Sequence, residues 1–228
     1  MSRALFLILI GLGGAAILIS LGVWQVQRLA WKQGVIADIN ARIQAAPVAL
    51  PATPDPEKDA YLPVEVSGKM GPDALRILVS QKEVGAGYRL ISALETTDQG
   101  RIMVDRGFIP ADATAADAPT QIVTVIGNLQ WPQETDSFTP VPDQDQNIWF
   151  ARDVTAMSAA LDTKPVLVVA RAMSFEDGGV TPLPVDTARI PNDHLQYAIT
   201  WFSLAAIWLA MTVLFLRRRR APATPKVD

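Results

Sequence analysis

Two long uncharged segments constrain this chain more than any other feature of its sequence. Ala4–Val23 is a run of 20 residues without a charged side chain, and Leu195–Leu216 is a run of 22. About 20 helical residues cross a hydrocarbon core of roughly 30 Å, so we predict two transmembrane helices. A cleaved signal peptide is the alternative for the first run. It is disfavoured because the apolar region is too long and no A-x-A cleavage site follows.

The charges beside these segments predict the orientation of the chain. Four consecutive arginines, Arg217–Arg220, follow the second segment, and such clusters stay on the cytoplasmic side. Two spans then place Arg3 and the N-terminus on the same side, although Arg28 and Lys32 argue weakly for the reverse. We therefore expect cytoplasmic termini and a periplasmic central domain. Because no Arg- and Ser-rich presequence precedes the first span, the bacterial inner membrane is the expected location.

The composition excludes several classes of function. Residues 43–193 carry 21 acidic and 11 basic side chains, a net charge of −10, which argues against binding nucleic acid by charge. The chain has no cysteine and one histidine, which excludes disulfides, thiol catalysis, cysteine metal sites and paired-histidine sites. No GxSxG motif, Walker loop or carboxylate pair indicates catalysis. We expect no enzymatic activity, and a membrane-tethered periplasmic enzyme is the least favoured alternative.

Between the spans, helical periodicity gives way to β-type patterns. A helical stripe runs from Leu29 to Ile43, so the first helix should extend beyond the membrane and end before Pro47. Asp153 is expected to cap one short helix, at residues 153–162. Strands are predicted at residues 61–70, 74–83, 87–96, 101–110, 121–130 and 164–173, with a hairpin turn at residues 96–100.

These patterns predict a membrane α+β fold. Two transmembrane helices flank a small, mostly antiparallel β domain, a sandwich or a barrel, with one short helix. The predicted segments are a cytoplasmic N-terminus (1–3), transmembrane helix 1 (4–24), a helix extension and Pro-rich extended linker (25–60), a periplasmic β-rich domain (61–190), transmembrane helix 2 (195–216) and a basic cytoplasmic tail (217–228).

The only histidine lies at the start of the second span and shares a helical face with aromatic residues. His194, Tyr197 and Trp201 fall within about 60° of one another. Trp24 and Arg28 leave the membrane at the matching end of the antiparallel first span. Together they could hold a haem: imidazole on iron, rings on the porphyrin and guanidinium on a propionate. His194 is thus the candidate metal ligand. The alternative is that these residues only anchor and pack the helices.

Small residues inside the first span have a structural interpretation. The stretch GLGGAA, Gly11–Ala16, lies within the apolar run and permits another helix to approach closely. Trp208 continues the aromatic face of the second span and is expected at the helix contact or at the haem.

Four stretches of the sequence form an ordered set of motifs: LGVWQVQRLAWK (Leu21–Lys32), GYRLISALE (Gly87–Glu95), VDRGFIP (Val104–Pro110) and NDHLQYAITWFSLA (Asn192–Ala205). Taken in this order, they resemble the motifs of the surfeit-locus (Surf/Shy) family of cytochrome c oxidase assembly factors. In the third motif Asp105 stands where the family usually has Asn, and Phe108 where it usually has Trp.

The resemblance implies a bacterial chaperone that assists insertion of haem a into oxidase subunit I. It implies haem a as a transient cofactor and His194 as its ligand. The implied partners are subunit I and the oxidase complex within the lipid bilayer, with haem A synthase as a further candidate. A scaffold that stabilises nascent subunit I without haem is the alternative.

Asp105 and Arg106 of the third motif admit a structural interpretation. We expect an Asp–Arg pair that holds the chain where Gly107 turns it, in preference to a partner-docking site. Tyr88 and Arg89 are likewise expected to be half-buried strand residues.

Overall fold

The computed structural model describes residues 3–82, 84–114, 119, 121–188 and 190–218. The chain divides into two compact units, one formed by Met1–Asp38 with Ala188–Asp228 and the other by Ile39–Thr187. Part of the predicted basic tail, residues 219–228, lies outside the described residues, as do Met1 and Ser2 of the predicted N-terminal segment.

The first unit contains two helices that are long and apolar enough to cross a membrane, α1 (Arg3–Ile43) and α3 (His194–Arg218). Large apolar side chains cover their outer faces: Leu12 is 61 % exposed, Ile17 64 % and Ile207 60 %. A water-soluble surface rarely exposes so many, whereas a bilayer accommodates them. The prediction of two long apolar helices is confirmed, and their exposed apolar side chains are those of a membrane protein. As predicted, α1 continues beyond the apolar run and ends before Pro47.

Glycines on α1 bring α3 into close contact. A Cβ on Gly11 would overlap the side chain of Thr212, and a Cβ on Gly14 would lie 2.6 Å from Nε1 of Trp208. The Trp208 indole N–H donates a hydrogen bond to the Gly11 carbonyl oxygen at 3.0 Å. The close packing predicted for the GLGGAA stretch is confirmed, and Trp208 belongs to this helix contact.

We expect Gly14→Leu to separate the two helices, because the new side chain must occupy the space of the Trp208 indole. Gly13→Leu is the matched control, since a Cβ on Gly13 meets nothing within 4 Å. The chain has no native cysteine, so cysteines at the exposed Ile17 and Leu204 can be spin-labelled cleanly. The distance distribution between the labels should lengthen and broaden in Gly14→Leu only. Identical distributions in both variants would contradict the close packing.

The second unit is built on a sheet that closes on itself. Five long strands follow the order β2–β3–β4–β7–β5 and return to β2, because β2 pairs with β3 at one end and with β5 at the other. Its elements are β1 (Val48–Ala49), β2 (Pro63–Gln81), β3 (Gly85–Thr96), β4 (Arg101–Pro110), β5 (Ile122–Leu129), β6 (Ile148–Trp149), α2 (Val154–Leu161) and β7 (Leu167–Met173). Of the two predicted architectures, the structure is a barrel.

The ladders between the barrel strands are mostly antiparallel, as predicted. β4 and β7 are the exception and run parallel from Met103↔Leu167 to Asp105↔Val169. The short strands β1 and β6 also pair with β2 in parallel, so the sheet is mixed. A parallel pair needs a long crossover connection. Here the chain from β4 to β7 includes β5, β6 and α2.

The strand and helix predictions hold, with one difference at β2. The two strands predicted at 61–70 and 74–83 form one strand, interrupted by a bulge between Met70 and Ala74. The hairpin turn between β3 and β4 is confirmed by Gly100, whose φ is +74°. Asp153 caps α2, and its carboxylate accepts a hydrogen bond from the Ala156 N–H at 3.0 Å.

Both faces of the sheet are buried. On β4, Ile102 and Val104 belong to a core cluster that draws on all five barrel strands. Met103, between them, points to the opposite face and joins a second cluster with Met157 of α2 and Ile43 at the end of α1. The β domain therefore has two core layers.

The predicted Pro-rich extended linker is largely part of the barrel unit. Val48 pairs with Val64 of β2, and Leu50 is only 8 % exposed within the core. The Asn128 side-chain N–H group donates hydrogen bonds to the carbonyl oxygens of Ile43 and Tyr61, both at 3.0 Å. The compact unit accordingly begins at Ile39, well before the predicted domain start at residue 61. Burial of apolar residues among the prolines explains the difference.

Candidate functional site

His194 is the first residue of α3 and makes a defined contact with α1. Its Nδ1 lies 2.8 Å from Oε1 of Gln25, which is only 8 % exposed. An amide oxygen can only accept, so Nδ1 carries the proton and donates it in this hydrogen bond. In the neutral imidazole the lone pair is then on Nε2, the atom that a metal would bind. The contact thus fixes the tautomer in which Nε2 is free to bind a metal.

The other predicted site residues lie on the same two helices but are more open. Trp201 is half-buried, whereas Tyr197 is 55 % and Trp24 53 % exposed. The Arg28 guanidinium stacks on Trp31, with Cζ 3.9 Å from the ring centroid. Within the described residues, no hydrogen bond, ion pair or ring contact joins His194 to any of the other four predicted residues. The described residues thus supply a positioned imidazole and exposed aromatic side chains on the same two helices.

Gln25 is the residue that the sequence interpretation missed. It lies seven residues after Leu18 and fourteen after Gly11, so all three repeat on one face of α1. A polar residue in register with a packed apolar stripe needs a partner on the facing helix. The spacing of Gln25 from Gly11 and Leu18 could therefore have identified this residue from the sequence. In the structure its partner is His194.

The barrel carries a separate buried network of charges around Asp105. The Asp105 carboxylate accepts from Nε of Arg89 at 2.7 Å, from Nη1 of Arg152 at 3.4 Å and from the Gly107 N–H at 3.1 Å. Burial raises the pKa of the Asp105 carboxyl, although the charges of both arginines oppose that shift. Arg89 also donates to the Leu183 carbonyl oxygen at 2.9 Å. The network therefore joins four parts of the barrel unit. They are β3, β4, the segment between β6 and α2, which carries Arg152, and the segment after β7, which carries Leu183.

The predicted pairing of Asp105 with Arg106 is wrong, although Asp105 does hold the turn at Gly107. Consecutive strand residues point to opposite faces, so these two side chains cannot meet across one face. Arg106 instead binds Asp177 through two hydrogen bonds, one of 2.6 Å from Nε, and both side chains are 3 % exposed. Arg89 is buried as an ion-pair partner, more deeply than the half-buried position expected. Tyr88 is half-buried as predicted and faces the Arg76 guanidinium at 3.9 Å.

Glu134 extends the same network towards the protein surface. It accepts from the Arg152 backbone N–H at 3.0 Å and from the guanidinium Nε at 3.1 Å. Burial alone would raise the pKa of Glu134, but the hydrogen bonds and charge of Arg152 hold this pKa below its usual value. Glu134 is therefore ionised at neutral pH and ties the loop after β5 to the barrel.

A model of the SURF1 family matches residues 12–206. The chain is 31 % identical over 227 residues to Surfeit locus protein 1 of Rattus norvegicus, a match that covers 89 % of this chain and 72 % of that protein. The Homo sapiens protein is 32 % identical over 210 residues, covering 82 % of this chain and 69 % of the relative.

A SURF1-like protein of Rickettsia prowazekii (strain Madrid E) is 28 % identical over 219 residues, covering 90 % of this chain and 88 % of that protein. This match is consistent with the bacterial membership that the motifs imply. The family match includes both the His194 contact and the barrel. The chain belongs to the SURF1 family.

Proposed function

We propose that this protein is a membrane-bound assembly factor for cytochrome c oxidase that holds haem a transiently through His194 during its insertion into subunit I. It acts as a chaperone and not as an enzyme. Its partners are subunit I and the oxidase complex, with haem A synthase as a further candidate. Membership of the family supports the assembly role, and the His194–Gln25 contact supports the haem-holding role.

The donor set fits a singly ligated haem. Gln25 Oε1 accepts a hydrogen bond from the Nδ1–H of His194, which leaves Nε2 as the atom that would bind iron. Trp24 and Tyr197 expose aromatic surface that can cover an apolar macrocycle, and Arg28 is exposed for a propionate. Bound haem would supply an iron centre whose electronic state depends on its axial ligand.

The open arrangement suits a carrier rather than a permanent haem protein. His194 is half-buried, and Trp24 and Tyr197 are more than half exposed. A single ligand without an enclosing pocket binds more weakly than a buried site with two ligands. Release to the oxidase is therefore favoured by the same geometry that limits affinity.

A scaffold without haem is the second candidate, because the described contacts also fit helix anchoring. Trp208 packs on Gly11, and aromatic residues such as Trp24 are typical of membrane interfaces. On this alternative, His194 and Gln25 form a helix contact only.

The visible spectrum of the purified protein distinguishes the two candidates. The full chain should be purified in detergent from a host that makes haem a, with empty membranes carried through the same steps. We expect a Soret band and haem a above the level of the empty-membrane control, at less than one haem per protein because the open site binds weakly. Protein free of haem a that still restores oxidase assembly in a strain lacking this chain would favour the scaffold.

The proposed location is the bacterial inner membrane, with both termini cytoplasmic and the barrel unit periplasmic. A reporter fused after Asp228 should be active only in the cytoplasm, and one inserted within residues 52–58 only outside. Neutral residues at Arg217–Arg220 should scramble this orientation, because the basic cluster is its main determinant. A native C-terminus found outside would contradict the proposal.

A further inference from the structure

The segment between β5 and β6 exposes two large apolar side chains. In this 132–146 loop, Phe138 is 90 % and Val141 86 % exposed. No other large apolar residue in the described part of the chain exceeds 65 %, the value for Ile122. A bilayer accounts for exposed residues along α1 and α3, but these two belong to the barrel unit. Their exposure calls for another explanation.

Internal hydrogen bonds give the tip of the loop a preset shape. The Asp136 carboxylate accepts from the Phe138 N–H at 2.8 Å and from the Thr139 hydroxyl at 3.1 Å. The Thr139 hydroxyl oxygen accepts in turn from the Asp136 N–H at 2.9 Å. Prolines on both sides of Val141 restrict the backbone further. A loop ordered in advance loses less conformational entropy when it binds a partner.

Both ends of the loop are fixed to the barrel unit. Near its start, Glu134 is hydrogen-bonded to Arg152, and the Trp131 indole N–H donates to the Pro165 carbonyl oxygen at 2.9 Å. Near its end, Asp143 and Ile148 exchange two backbone hydrogen bonds of 2.9 Å. The apolar tip is therefore held on a rigid support.

The charges around the tip have one sign. The loop contains four acidic residues and no basic one, and Glu134 is neutralised by Arg152. The remaining three, Asp136, Asp143 and Asp145, flank Phe138 and Val141 along the chain. They repel anionic lipid headgroups, and they repel a second copy of this acidic unit. They complement a protein surface that carries lysine and arginine.

We propose that the 132–146 loop is a docking element that inserts Phe138 and Val141 into an apolar recess rimmed by basic side chains on a partner protein. Aromatic anchors that enter such recesses supply much of the affinity of protein interfaces. The surrounding carboxylates contribute orientation and association rate.

Site-specific photo-crosslinking of the full chain in its own membranes tests this proposal. Phe138→p-benzoylphenylalanine keeps an aromatic ring at the tip, and the same replacement at Ile122 is the matched control. We expect one major protein adduct from position 138, mapped by mass spectrometry to a segment with several lysines or arginines. Asp145→Lys should lower its yield at least fivefold, and Asp145→Asn about twofold, with the melting temperature unchanged.

Any one of five results would overturn the proposal. They are adducts with lipid, adducts with a second copy of this chain, a partner segment without basic residues, equal yields from positions 138 and 122, and a yield that does not respond to Asp145→Lys.

Discussion

Loss of bound haem a is expected when His194 is replaced by alanine. The variant removes the only imidazole of the chain, so no equivalent iron ligand remains. His194→Met offers a weaker ligand and should retain haem with a shifted spectrum. Both variants should keep the membrane insertion of the wild type, and the barrel unit should still fold. The measurement is the Soret absorbance per protein, together with oxidase activity in cells, which should fall in parallel.

Two further variants test residues that would assist haem binding without binding the iron themselves. At the proposed haem site, Arg28→Ala would remove a propionate contact worth about 1–3 kcal/mol, so haem affinity should fall on the order of tenfold. Gln25→Leu removes the acceptor that fixes the His194 tautomer, and losses of about 10–100-fold are typical for such partners. Gln27→Leu, on the exposed side of the same helix, is the matched control and should bind haem as the wild type does.

The outcome for His194→Ala decides between the interpretations. Normal haem content with failed oxidase maturation would assign His194 to partner docking. Unchanged haem content and unchanged oxidase would leave it as an interfacial residue, and the haem proposal would fail.

A large loss of stability is expected from Asp105→Asn in the barrel. The variant removes the charge that Arg89 and Arg152 share in a fully buried site, where Asp105 has no exposed surface. Removing one partner of a buried ion pair costs about 3–5 kcal/mol, because a charge is left uncompensated. For a unit of this size the melting temperature should fall by roughly 10 °C. Denaturant unfolding of the full chain in detergent, followed by tryptophan fluorescence, measures the change in the free energy of unfolding, and a thermal scan measures the change in melting temperature.

Asp162→Asn is the matched control for this prediction. Asp162 faces Arg101 at 3.4 Å, but its side chain is 96 % exposed and asparagine tolerates its left-handed backbone. Exposed pairs are worth about 1 kcal/mol or less, so this variant should unfold almost as the wild type does. Equal losses in the two variants would show that the buried network does not stabilise the barrel.

Local patterns were sufficient to predict most elements of the fold. The uncharged runs correspond to α1 and α3, the alternating runs to the five long strands, and Asp153 caps α2. The continuous β2 was not predictable because Gly71, Pro72 and Asp73 have the composition of a turn, whereas they form a bulge within the strand. The parallel pairing of β4 with β7 depends on contacts between distant residues, which periodicity does not contain.

In the candidate site, too, features within one helix could be predicted from the sequence, whereas contacts between distant parts of the chain could not. The histidine and the aromatic face are visible in one helix, because their spacing is local. The Gln25 contact depends on the register of two antiparallel helices that are far apart in sequence, and register is set by the packed glycines. Asp105 was placed with its sequence neighbour for the same reason, whereas its partners lie on other elements.

The position of β7 in the chain has a consequence for the order of folding. Because β7 bonds to both β4 and β5, the barrel stays open during synthesis until residue 173 has emerged. Until then the apolar residues of β4 and β5 and their unpaired edges are exposed, a state prone to aggregation. In the helical unit, α1 likewise waits for α3, which follows all the barrel strands in the chain. A ribosome that stalls before Leu167 would therefore leave neither unit complete, and the nascent chain would need protection by other proteins at that stage.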